Sequence, residues 1–245
     1  AEKFIDIKCR KSGLKPAACV LVVTVRAIRH HGGPDRSLEV GIANVERHLQ
    51  NMRDHFGLPI VVAINHFSAD APADLTWIQT RLSAMGVETY VARHWAEGGK
   101  GALALARAVV TAIEQRPPDS PLQTLYGDDL PLWEKMRTIA WKIYGAADIS
   151  ADPKVMAQIA DLEKSGYGYF PVCVAKTQYS FSTDPKLLAA PTGHIVHVRE
   201  VRLSAGAGFV VMVCGDMMTM PGLPKEPDAA RIDIDPETRV VRGLF

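Results

Sequence analysis

Two nearly unbroken apolar runs, residues 17–25 (AACVLVVTV) and 58–64 (LPIVVAI), constrain this chain more than any other feature. Their β-branched content without polar alternation is the pattern of strands buried on both faces, and a third strand follows at 87–93. Between them Ile42, Val45, Leu49 and Met52 recur at helical spacing, as do Leu75, Ile78, Leu82 and Met85. Helices over 40–55 and 74–85 therefore return the chain to the start of the next strand. The alternation runs on to Glu114, which predicts an α/β fold with a mainly parallel sheet flanked by helices.

Parallel strands joined by right-handed crossovers deliver the residues that follow them to one carboxyl edge, where open α/β sheets bind ligands. Asn65-His66-Phe67 and His94-Trp95 leave the second and third strands there. Phe67 and Trp95 can form a slot for a planar ring, or they can be core or lid residues of the kind common at strand ends. Gly98-Gly99-Lys100-Gly101 then opens a helix over 102–113. Uncovered N–H groups at a helix start attract anions, whereas glycines there also ease close packing against a sheet. This is not a Walker A loop, because Gly101 follows the lysine. Asn65 and Asp70 fit ordinary turn chemistry, although Asp70 can also accept hydrogen bonds from the exocyclic amines of a ring.

Charge and cysteine content exclude several roles. Lys plus Arg number 28 against 27 Asp plus Glu, a balance without the basic field that nucleic acid requires. No apolar stretch is long enough to span a bilayer, so no membrane contact is expected. The four scattered cysteines lack a C-x-x-C pair and are expected to be reduced thiols, and the charged start shows no signal-peptide core; both point to the cytoplasm. No metal site is expected either. His30 and His31 point opposite ways on an extended, solvated loop over 26–33, His48 and His55 sit two helical turns apart, and His194 and His197 face opposite sides of a strand.

A helix over 1–13 ends at Gly13, and a Pro-rich linker over 115–121 closes the alternating region. Beyond it come helices over 130–144, with Leu132, Met136, Ile139, Ala140 and Ile143 inward, and over 154–164, capped by Asp152-Pro153. Strands follow at 172–179, 195–203, 209–214 and 240–241, with 204–208 either a turn between strands or a phosphate loop. Helices then strands predict a smaller α+β subdomain with a mixed or antiparallel sheet.

No G-x-S-x-G, H-E-x-x-H, G-x-G-x-x-G or Walker A pattern occurs, so the residues by themselves lead to a planar-ligand slot and name no reaction. The stretches EKFIDIKCR, VTVRAIRHHGG, GLPIVVAINHFSAD, HWAEGGKGA, AKTQYSFS, VREVRLSAGAGF, GDMMTMPGLPK and GLF, taken together, resemble the C-terminal part of the formate tetrahydrofolate ligases, or formyltetrahydrofolate synthetases. The resemblance implies an ATP-dependent ligase that makes 10-formyltetrahydrofolate through formyl phosphate, with magnesium, a stimulating monovalent cation and homo-oligomeric assembly. It implies that Phe67 and Trp95 sandwich the folate pterin; Asn65, Asp70, Gly98 and Gly99 stay possible ligand contacts on the reading of the residues alone.

The P-loop lysine and the formyl-phosphate arginine of that family match nothing here. The resemblance thus implies a remnant of the nucleotide-binding domain at 1–35, an α/β domain with the folate slot at 36–125 and an α+β domain at 126–245. It assigns no catalytic residue to this chain, which is expected to be inactive without an N-terminal half or a second chain. The alternative is an inactive folate- or nucleotide-binding module, or a truncated fragment with an exposed sheet edge.

Overall fold

The computed structural model describes residues 1–175, 179–215 and 225–243. Helix α1 (residues 3–12) ends at Gly13, whose positive φ of 72° is the left-handed conformation a helix stop uses. Strands β1 (Cys19–Val23), β2 (Ile60–Asn65) and β3 (Thr89–Ala92) then form an all-parallel sheet in the order β1-β2-β3. Helices α2 (Val25–His31), α3 (Leu38–Gln50) and α4 (Pro72–Ser83) share one core with it. Ile28, Ile42, Leu49, Ile78 and Leu82 meet Val23, Val62 and Ile64 there. A single turn, α5 (His94–Glu97), and a tight turn over Gly98–Ala102 lead into α6 (Leu103–Glu114), which packs on β2 and β3. The predicted α/β arrangement is the one observed.

Two local expectations fail. Strand β1 is not buried on both faces, since Val20 is 40% and Val22 61% exposed while Val23 is buried. It is an edge strand paired with β2, and α6 packs mainly on β2 and β3. The solvated loop over 26–33 is instead helix α2, capped where Thr24 Oγ1 accepts the Ala27 N–H at 3.0 Å. Its polar run conceals a short apolar face, Val25 and Ile28. His31 accordingly points inward. Its Nδ1 accepts the Ala189 N–H at 3.1 Å, while the Asn44 side-chain amide donates to the Ala189 carbonyl at 2.9 Å. Burial, and then the neighbouring His30, lower the His31 pKa.

The second half contains α7 (Leu132–Lys142), β4 (Asp148–Ala151), α8 (Pro153–Leu162), β5 (Val172–Ala175), β6 (Ile195–Val198), β7 (Glu200–Ser204), β8 (Phe209–Val213), β9 (Asp233–Ile234) and β10 (Val241–Arg242). Strand β4 was not foreseen. It has only Ile149 buried, too little for a periodic signal, and exists by parallel pairing with β6. The single strand expected over 195–203 breaks at Arg199, because β6 pairs with β4 while β7 runs antiparallel to β8. With β5 parallel to β8 the second sheet is mixed, in the order β5-β8-β7.

Residues 204–208 are the turn of the β7–β8 hairpin, with Gly208 at φ 66°. Asp152 occupies the N-cap of α8 without a side-chain cap bond. His194 Nε2 meets the Phe181 carbonyl at 3.0 Å and His197 Nδ1 the Ser150 hydroxyl at 3.0 Å, so these two histidines serve separate contacts. The motifs AKTQYSFS, GDMMTMPGLPK and GLF, and the end of the strand expected over 172–179, fall partly outside the described residues.

A second core joins the halves. Ile5 of α1 and Phe56 and Leu58 before β2 pack with Leu132, Met136, Ile139, Val172, Val196, Val210 and Met212. Polar groups are buried in it with partners. Lys135 is fully buried, its ammonium donating to the carbonyls of Asp128 at 2.8 Å, Gly168 at 2.7 Å and Phe170 at 3.1 Å. Asp6, 1% exposed, accepts the Leu125 N–H at 2.9 Å and an Arg10 N–H at 3.2 Å on Oδ1.

Candidate functional site

The carboxyl edge of the first sheet is assembled by three backbone links. The His66 N–H donates to the Ala92 carbonyl at 3.2 Å, which extends the β2–β3 pairing one step past Asn65. A turn follows in which the Phe67 N–H donates to Asp70 Oδ2 at 2.9 Å and the Asp70 N–H returns to the Phe67 carbonyl at 2.9 Å. This reciprocal closure of the turn by the Asp70 side chain and backbone explains an aspartate three residues after the aromatic. At the tip of β3 the Arg93 N–H donates to the Gly101 carbonyl at 2.9 Å, so the glycine-rich turn folds back over the strand end.

Phe67 is 50% and Trp95 90% exposed, so neither ring has been drawn into a core. Among the described residues neither packs against another aromatic ring. Phe67 lies two residues past the end of β2, and Trp95 lies in α5, three residues past the end of β3, so both stand beside the carboxyl edge of the sheet. Asn65 ends β2, half-buried and in register with Ala92. Asp70 lies in the same loop as Phe67, its Oδ2 engaged in the turn. Gly98 has φ 59° and ψ −147°, a conformation suited to glycine, whereas a Cβ at Gly99 would touch nothing within 4 Å. Ala102, at the N-cap of α6, supplies no side-chain bond to the first N–H groups of that helix.

Three residues without an assigned role in the sequence reading also shape this edge. Arg93 Nη1 lies 3.2 Å from His66 Nε2 and 3.4 Å from His66 Nδ1, which sets a guanidinium against an imidazole at neighbouring strand tips. Their positions directly beside the predicted strand ends were the available signal. Gly101 is the third: a Cβ there would lie 2.5 Å from the Arg93 carbonyl carbon, so the close return of the turn requires glycine. Chemically the edge offers flat apolar faces, hydrogen-bonding loop groups and a cation. Among the described residues no group of three or more His, Cys, Asp or Glu is placed to hold a metal ion.

A parallel sheet flanked by helices places the chain among the open α/β proteins. The chain belongs to the formate–tetrahydrofolate ligase family, whose model matches residues 1–245. It is 56% identical over 254 residues to the formate–tetrahydrofolate ligase of Methylococcus capsulatus, and 55% identical over 255 residues to that of Methylibium petroleiphilum. The ligase of Beijerinckia indica is 56% identical over 255 residues. Each comparison covers 100% of this chain and 45% of the relative, so the chain spans a little under half the length of the curated relatives it matches. Among the described residues no helix is long and apolar enough to cross a membrane.

Proposed function

We propose that this chain supplies the tetrahydrofolate-binding slot and assembly surfaces of an ATP-dependent formate–tetrahydrofolate ligase. The observation that carries the reading is the placement of Phe67 and Trp95, both solvent-facing, in the segments that directly follow the adjacent parallel strands β2 and β3. A pterin between them would be held by stacking worth about 1–3 kcal/mol per aromatic side chain. Asn65 and Asp70 stand where polar edges of that ring would need partners, and the turn at Gly98 and Gly99 lies beside Trp95. The role of these residues is positioning: they hold the folate amine toward formyl phosphate rather than move protons.

On this reading the ATP and magnesium site, with the P-loop half, lies in a portion of the enzyme beyond these residues, and residues 1–35 belong to its edge. Residues 36–125 form the folate domain and 126–245 the C-terminal α+β domain. Two facts support the division: no Walker A pattern occurs in the 245 residues, and the relatives are more than twice as long. The bare valines of β1 support a covering partner, either that missing portion or another chain in an oligomer.

Titration of the 245-residue chain with tetrahydrofolate, followed by tryptophan fluorescence, tests the slot. Quenching that Trp95→Ala abolishes is expected; binding indifferent to both Phe67→Ala and Trp95→Ala would overturn the assignment. Ligase turnover should appear only when the N-terminal half is supplied. Turnover by these residues alone would refute the proposed division of labour, and folate binding without any restoration would favour the inactive binding module.

A further inference from the structure

The loop carrying Phe67 runs from the end of β2 to the start of α4, and α4 begins without a side-chain cap. Ala71 occupies its N-cap and Pro72 the first helical position. A helix start of this kind leaves N–H groups without a side-chain acceptor and is stabilised by negative charge in the first turn. Asp74 supplies that charge, and another element holds it in place. Arg29 of α2 donates Nη2 to both Asp74 oxygens, at 2.8 and 2.7 Å, and Nε to Oδ2 at 3.1 Å. Its Nη1 donates to the Arg36 carbonyl at 3.1 Å. The Asp74 side chain is 16% exposed, so the pair is partly removed from water, where a two-toothed arginine–carboxylate contact is stronger and more directional than an ordinary surface ion pair.

We propose that Arg29 is a positioning residue for the aromatic slot: through Asp74 it sets where α4 begins, and so where the Phe67–Asp70 turn presents the Phe67 ring. The inference rests on the folate-slot reading above and names a residue that reading does not include. The path is short and physical. Asp74 lies in the first turn of α4, Asp70 directly precedes the N-cap Ala71, and Asp70 Oδ2 holds the Phe67 N–H at 2.9 Å. At its other end the loop is fixed by the bond from the His66 N–H to Ala92. Released at the α4 end alone, the loop keeps its ring but loses its preorganisation, and the ligand must then order it.

A second pair on the same helix supplies the control. Arg81, in the last turn of α4, pairs with Glu46 of α3 at 2.7 Å. That contact also ties α4 to a neighbour but lies at the end away from Phe67.

The test is calorimetric titration of the full chain with folic acid, well below its melting temperature, beside amide exchange at Phe67 and Asp70. Arg29→Ala and Asp74→Asn are each expected to weaken folic acid binding about fivefold, the range typical of a packed coupling path. Both should speed exchange of the two loop amides. Arg29→Lys, which keeps the charge but not the fork, should fall between, and Arg81→Ala should change neither readout. Failure of the unaltered chain to bind folic acid would remove the slot reading and this inference with it. Binding unchanged in Arg29→Ala and Asp74→Asn, or weakened equally by Arg81→Ala, would overturn the inference alone and leave the slot standing.

Discussion

Lys135 and Trp95 mark two opposite ways in which this molecule uses a large side chain. Lys135 is wholly enclosed, with its ammonium on three backbone carbonyls of the segments around 128 and 168–170. Trp95 stands 90% exposed in α5, just past the end of β3. Near Lys135, Arg10 bonds Asp6 and the Tyr126 carbonyl in partly buried contacts and reaches Asp128 at the surface. At the sheet edge the backbone is closed by internal bonds while the rings are left open. Apart from the buried Asp6 Oδ2, which has no hydrogen-bond partner, the polar groups of the first region are spent on one another, whereas the second keeps its aromatic faces in water.

That contrast is open to direct attack. The largest effect is expected at Lys135. Lys135→Met would leave three backbone carbonyls, that of Phe170 buried, without their donor and should destabilise the chain by about 3 kcal/mol in urea unfolding. A loss under about 1 kcal/mol would show that water or a shifted backbone replaces the ammonium readily. Trp95→Ala is next and inverts the pattern: folate binding should weaken by about 1–3 kcal/mol while unfolding stability moves by less than about 0.5 kcal/mol. If both quantities drop together, the ring is part of the scaffold and the distinction between the two regions collapses.

The glycine turn gives a finer comparison within one region. Gly101→Ala places a Cβ 2.5 Å from Arg93 backbone carbon and should destabilise by about 1–3 kcal/mol, detected as a lower thermal midpoint. Gly99→Ala meets nothing within 4 Å and should be close to neutral. Equal effects would mean the turn is not packed as tightly as its geometry indicates.

The smallest expected effect is the pH response of Asp6. Burial, the largest influence, holds its carboxyl above the usual carboxylate pKa despite the Leu125 N–H and Arg10. The folded chain therefore binds this proton more readily than the unfolded chain. Its contribution is greatest at and below the ordinary value of 3.8 and declines as pH rises from there through the raised folded value. Asp6→Asn should remove that decline, so the stability difference between variant and parent should drift in the variant's favour over that window. A difference independent of pH would show that the carboxyl titrates alike in both states.

Much of the first half was legible in advance because its signals are local. Leu75, Ile78 and Leu82 repeat at helical spacing and are all buried, and the run ending at Ile64 forms the central strand. The failures share one cause, which is that burial depends on neighbours. Val20 and Val22 have the composition of a two-sided strand, yet nothing among the described residues covers that face of β1. The strand at 148–151 carries almost no apolar pattern and is made by its register with β6. Asp6 and Tyr126 gave no signal, since decisive partners lie far away in sequence: Asp6 accepts the Leu125 N–H, and the Arg10 guanidinium lies 5.1 Å from the Tyr126 ring centroid.

From the sequence alone came the alternation that makes a parallel sheet, the edge to which Phe67 and Trp95 are delivered, and the family likeness. These follow from periodicity and chain direction, which are properties of neighbouring residues. Only the tertiary structure decided which valines stay bare, that α2 is a helix turning His31 inward, that Gly101 rather than Gly99 is sterically required, and that Arg29 reaches α4. Each of those depends on the distance between atoms that folding brings together, from Gly101 against Arg93 to Arg29 against Asp74, and periodicity does not encode such a distance.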